Sequence, residues 1–185
     1  MSRAKDAIYQ ELLALRCRRG DPAALEELVH AWEKPLFYFI RRLVKNEPDA
    51  WDILQQTWLR VVRGIRALKD PQRLTPWLYQ IARHTAFNHA RLQAAYRAGL
   101  EEHPDADLAD DDAVVDFDHA DQVHAALERL SLPHREVLTL FFLEDLAIAD
   151  IAGVIGVAPG TVKSRLHYAR RALRDILQEE AARHA

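Results

Sequence analysis

"AIADIAGVIGVAPGTVKSRLHYARRALRDIL", Ala147 to Leu177, decides how this chain folds. The first nine residues form a short apolar helix, Ala147 to Ile155, and the Gly156, Pro159, Gly160 cluster interrupts it. Gly156 supplies a left-handed turn, and Pro159 and Gly160 open a second helix. A short helix, a glycine-centred turn and a basic second helix follow the grammar of a helix-turn-helix. At 100° per residue, Val162, Leu166, Ala169 and Leu173 gather on one side of that second helix. Ser164, His167, Tyr168 and Arg171 point the other way and are the candidates to touch base edges. Lys163, Arg165 and Arg174 flank them at the positions that meet phosphates. A solvated basic face is the plainer reading of such a charge run, but the turn and the short preceding helix favour DNA.

Composition bounds the rest. At 185 residues and 49% hydrophobic, the chain can bury one substantial core or two small ones. No window is apolar enough for a membrane span, and the first residues, MSRAKDAIYQELLALRCRRGD, carry charges among their apolar positions and no small-residue cleavage site. Neither membrane insertion nor a signal peptide is therefore expected. The only cysteine is Cys17, so no intrachain disulfide can form; a cytoplasmic address follows, with Cys17 a small helix residue.

The formal net charge of −3 is unevenly spread. Residues 1–99 hold 17 Lys and Arg against 10 Asp and Glu, residues 100–121 hold 10 acids and no base, and the remainder balances 8 against 8. The acidic stretch, LEEHPDADLADDDAVVDFDHAD, lacks helical periodicity and reads as a flexible linker. The expected organisation is all-α: a module over 1–97, a linker over 98–121 and a helix-turn-helix module over 122–185.

In the first module, DPAALEELVHAWEKPLFYFIRRLVKN reads as two helical stretches, with Asp21 as N-cap and Pro22 in the first helical position. From Ala50 to Lys69, Trp51, Leu54, Trp58, Val61, Ile65 and Leu68 recur at three and four, one long amphipathic helix. Its other side carries Asp52, Gln55, Gln56, Arg60, Arg63 and Arg66. KDPQRLTP breaks it, because Pro71 and Pro76 exclude continuation. The helix PWLYQIARHTAFNHARL then mixes Trp77 and Tyr79 with Arg83, His84, Asn88 and Arg91. Rings that stack on unpaired bases beside cations that hold phosphate suit single-stranded nucleic acid; the plainer reading makes Trp77 and Tyr79 core residues.

Taken in order, "DPAALEELV", "DAWDILQQTWLRVVRGI", "TPWLYQIARHTAFNHAR", "LPHREVLTLFFLEDLAIADIAGVIGV" and "GTVKSRLHYARRALR" resemble the extracytoplasmic-function sigma factors, small bacterial subunits that bring RNA polymerase to promoters. The likeness runs over nearly the whole chain. It implies that the helix bearing Asp52, Gln55, Gln56, Trp58 and Arg60 docks on core RNA polymerase. It implies that the loop Lys69 to Pro76, with Arg73, and the next helix, with Trp77, Tyr79, Arg83, His84, Asn88 and Arg91, capture and melt the minus-ten element. Thr161, Lys163, Ser164, Arg165, His167, Tyr168 and Arg171 would then read the minus-thirty-five element in promoter DNA. An anti-sigma protein is the further partner implied. No catalytic group, cofactor or metal is implied, and no HExxH, P-loop, GxSxG or CxxC stands in the chain.

His84 replaces an Asn common in the family and Tyr168 an Arg, so the promoter bases read are this chain's own. Ala147 and Ala158 stand where a capping Ser is usual, at about 0.5 to 2 kcal/mol per missing cap. Two elements one and a half to two turns of duplex apart lie roughly 50 to 70 Å from each other, and a fully extended stretch over 100–121 reaches roughly 70 to 80 Å. The acidic stretch is either a tether or an internal nucleic-acid mimic that screens the basic surfaces. A stand-alone helix-turn-helix regulator, and an enzyme or helical scaffold, are the other classes open to the sequence.

Overall fold

The computed structural model describes residues 2–44, 46–99 and 125–184. The acidic stretch, and the two readings of it, lie outside the described residues. Every element among the described residues is helical: α1 Ser2–Arg18, α2 Pro22–Leu43, α3 Glu47–Gly64, α4 Leu74–Gly99, α5 Leu132–Leu138, α6 Ile148–Ile155 and α7 Pro159–His184.

The expected Asp21 cap is present, its carboxylate accepting from the backbone N–H groups of Ala23 and Ala24 at 3.0 and 3.3 Å. The two stretches expected after it are one helix, α2, which passes through Pro35. The burial pattern explains this: Ala24 and Leu28 before the proline and Leu36, Phe39 and Ile40 after it all enter one core, so packing offsets the hydrogen bond that Pro35 removes. Glu27 ties α1 to α2 through Arg16 at 2.7 Å and the Tyr9 hydroxyl. Cys17 is fully buried, and burial pushes its thiol above the usual range, as befits a packing residue.

The third helix begins earlier and ends sooner than the periodicity predicts. Asn46 caps it, accepting from the Asp49 N–H at 2.8 Å, and it gives way at Gly64 to a 3-10 turn over Ile65–Ala67. Its core face is Ile53, Leu54, Thr57, Val61 and Ile65; Trp51, placed on that face by spacing alone, is 43% exposed and stacks on Phe37 with ring centroids 4.2 Å apart.

In the second half, α5 widens into a π turn over Thr139–Leu143, closed by the Glu144 N–H on the Thr139 carbonyl at 3.2 Å. This turn leaves Phe142 and Leu143 exposed and sets Glu144 facing α4. The helix-turn-helix is as expected: α6 starts after an uncapped Ala147, and Gly156 closes it in the left-handed region at φ 73°. Val162, Leu166 and Ala169 are the buried face of α7.

The two halves are joined rather than apart. The head of α4 packs on α6, and one continuous apolar cluster runs from Leu28 and Phe39 through Leu78 and Ala82 to Ile151 and Val162.

Candidate nucleic-acid and polymerase interfaces

Burial of one side of α7 fixes what its other side presents. Lys163, Ser164, His167, Tyr168 and Arg171 are all exposed, as the angular reading requires, while Thr161 and Arg165 are half-buried. Ser164 donates its hydroxyl to the Thr161 carbonyl at 3.0 Å, which occupies its proton and leaves its oxygen an acceptor. The His167 and Tyr168 rings meet edge to face, their centroids 5.4 Å apart, making a short aromatic step beside Arg171. Arg170, in the same basic run, turns instead across the Phe141 and Phe142 rings at 5.3 and 5.0 Å, so it belongs to the apolar side of its own half.

The α4 residues separate into two faces. Trp77, His84, Asn88 and Arg91 share one stripe with Gln80, since steps of three, four and seven residues return to the same side of a helix. Tyr79 and Arg83 lie about 140° and about 100° from the middle of that stripe, and sequence reasoning pooled them with it. Tyr79 must be corrected from a stacking ring to a core ring. It is fully buried, edge to face with Trp32 at 5.9 Å and Phe39 at 5.2 Å, and no base can reach it in this structure. Its hydroxyl donates to Glu144, and burial first, then that carboxylate, raise the Tyr79 pKa far above the usual range. Arg83 lies over the Phe87 ring at 4.5 Å and pairs with Glu136 at 2.6 Å. Burial pushes the Glu136 carboxyl up, and the Arg83 and Arg165 charges only partly offset it; burial likewise raises Glu144.

Just before α4, the 3-10 turn Pro71–Arg73 is capped by Asp70, which accepts from the Gln72 N–H at 3.0 Å. A cleft of about 270 Å³ opens there between Lys69, Asp70, Arg73, Trp77 and Gln80, with Gly153 of α6 on its far wall. Trp77 is half-buried, its ring lying over Gly64, where an added Cβ would come within 3.2 Å of it. A ring with one side packed and the other toward an open cleft has the form of a stacking platform.

On α3, Asp52, Gln55, Gln56 and Arg60 are exposed together. Trp58 departs from them: it is half-buried against the core, its buried indole N–H without a hydrogen-bond partner among the described residues. The exposed stripe is completed by Leu59 and Val62, 57% and 48% exposed, which sequence reasoning missed. Their signal was an apolar pair in the polar register of the helix. A polar stripe with apolar residues at its centre has the composition of a protein-docking surface.

With the geometry in place, comparison with known proteins decides the family. Residues 28–96 match the sigma-70 region 2 model, and residues 120–173 match the sigma-70 region 4 model. The chain is 31% identical over 189 residues to the ECF RNA polymerase sigma factor SigL of Mycobacterium tuberculosis, a match covering 97% of each. It is an extracytoplasmic-function sigma factor. The RNA polymerase sigma-H factor of Pseudomonas aeruginosa is 32% identical over 184 residues, covering 90% of this chain and 92% of that protein. Among solved structures, the sigma factor RpoE of Bartonella quintana, in complex with the anti-sigma factor NepR, shares the fold at a TM-score of 0.69 and 22% identity, covering 83% of this chain and 96% of that one. CnrH in complex with the cytosolic domain of CnrY does so at 0.67 and 23%, covering 92% and 97%.

This sigma factor is therefore a transcription initiation factor that directs RNA polymerase to promoter DNA, and as a class such factors are non-enzymatic. No helix among the described residues is long and apolar enough to cross a membrane.

Proposed function

We propose that three separate surfaces carry the work of this sigma factor. The exposed α3 stripe, Asp52, Gln55, Gln56, Leu59 and Arg60, docks on core polymerase. Arg73, the cleft beneath it and the α4 stripe of Trp77, His84, Asn88 and Arg91 capture the melted minus-ten strand. The outer face of α7, with Ser164, His167, Tyr168 and Arg171 central and Thr161, Lys163 and Arg165 beside them, enters the major groove of the minus-thirty-five element. The division into a module over 1–97, a linker over 98–121 and a module over 122–185 belongs to the same reading. So do a cytoplasmic site of action and regulation by an anti-sigma protein, of the kind bound to RpoE of Bartonella quintana. Bond-forming chemistry is left to the polymerase.

The observation that carries this reading is that the three stripes, exposed on α3 and α7 and partly exposed on α4, lie within the residues that the region 2 and region 4 matches span. A stand-alone regulator needs no polymerase-docking stripe and no single-strand platform. Pull-down of core polymerase by the purified chain, followed by run-off transcription, tests it. Binding that survives Gln55→Glu with Gln56→Glu undiminished counts against the α3 assignment.

A further inference from the structure

The outer face of α7 offers more than one chemistry. Ser164 and Arg171 each stand one helical turn from Tyr168, on the same side. Ser164 presents an oxygen that accepts, its proton held by the Thr161 carbonyl at 3.0 Å, and Arg171 presents a fork of donors. Tyr168 between them is 59% exposed. Its ring meets that of His167 edge to face, at 78° and with the centroids 5.4 Å apart. The exposed neighbours on that face, Ser164 and Arg171, are polar, so the ring pair is a small apolar step on a polar surface rather than a broad patch for a protein partner.

We propose that the Tyr168 ring, steadied by His167, reads the C5-methyl group of one thymine in the minus-thirty-five element. The inference rests on the placement of the outer face of α7 in that element and names what the face recognises there. Base edges in the major groove display hydrogen-bonding atoms, and the thymine methyl is the apolar feature among them. The face of a tyrosine ring gives that methyl an apolar surface to pack on, while Ser164 and Arg171 supply polar contacts on either side. Tyrosine has only two side-chain torsions to fix, and the ring is already packed on His167, so docking costs little freedom. Cytosine methylated at C5 carries the same group in the same place, so this position also prefers 5-methylcytosine to cytosine.

The test uses the full chain with core polymerase and a promoter selected by it from a random library. Thymidines of the upstream element are replaced one at a time by deoxyuridine, which lacks the methyl and keeps every hydrogen-bonding atom. Replacement at one position should weaken binding about fourfold, the worth of one buried group of that size. The same loss is expected in Tyr168→Phe, which keeps the ring, and none in Tyr168→Ala. Tyr168 is exposed, so neither substitution threatens the fold. Cytosine at that position should bind more weakly still and recover about fourfold when methylated at C5. An upstream element selected without thymine, deoxyuridine tolerated at every position, or a methyl effect that persists in Tyr168→Ala or vanishes in Tyr168→Phe overturns the inference. Arg171→Ala separates it from the reading beneath. Weaker promoter binding in Arg171→Ala with deoxyuridine tolerated throughout overturns the methyl contact alone. Binding unchanged in both Arg171→Ala and Tyr168→Ala, or failure to select any promoter, overturns the functional reading itself.

Discussion

On the proposed reading, individual side chains of α7 divide between reading bases and holding phosphates. Arg171 and Ser164 lie on its exposed outer face, and Lys163 lies to the side of it. Arg171→Ala or Ser164→Ala should cost about 1 to 3 kcal/mol of discrimination for each base that the side chain no longer reads. Lys163→Ala should weaken binding to all promoters alike and lower the salt slope by about 1. Titrations at several salt concentrations against matched and mismatched duplexes check both, and a change of sequence preference in Lys163→Ala alone would reverse the assignment. Glycines give a second contrast. Gly156 sits at φ 73° with open space around it, so Gly156→Ala meets no neighbour and suffers only the left-handed backbone, about 1 to 2 kcal/mol. Gly160 has the same open space without the positive φ, and Gly160→Ala should be neutral or gain up to about 1 kcal/mol of helix propensity. Denaturant unfolding of the two variants reads the difference directly.

Helices were the level at which the sequence was most legible. The α6 and α7 boundaries, the Gly156 turn and the buried Val162, Leu166 and Ala169 follow from spacing and turn chemistry, which are local. Where tertiary packing decided, local rules fell short. Pro35 marks a break in any propensity scheme, but Leu28 and Phe39 on either side of it share a core and hold α2 continuous. Tyr79 and Arg83 match the stacking stripe in residue type but not in helical angle, and their neighbours, Glu144 and Glu136, are distant in sequence. Leu59 and Val62 show in the sequence only as an apolar pair in the polar register of α3, a weaker signal than the repeating core positions beside them. On α3, Gln55→Glu with Gln56→Glu should weaken binding to core polymerase and leave minus-thirty-five duplex binding unchanged, since that stripe and α7 share no residue. On α6, Ala147 offers no side chain to the first turn, and Ala147→Ser should stabilise the protein by about 0.5 to 2 kcal/mol in thermal or denaturant unfolding.

At the scale of the whole molecule, the sequence announced two modules but not that they touch. Glu136, Glu144 and Asp150 are acids on helices, a pattern that ordinarily means a solvated face, and only their meeting with Arg83, Tyr79 and Arg73 shows otherwise. The central claim is that the two halves together direct polymerase to a promoter with two elements, one opened by the first half and one read by the second. Run-off transcription with core polymerase on a promoter library measures this most directly. Transcripts are expected from templates sharing two short sequences at one fixed spacing, with Arg171→Ala changing the bases preferred in the upstream sequence only. Transcription no greater than that of core polymerase alone, or start sites sharing one element and no fixed spacing, would contradict it.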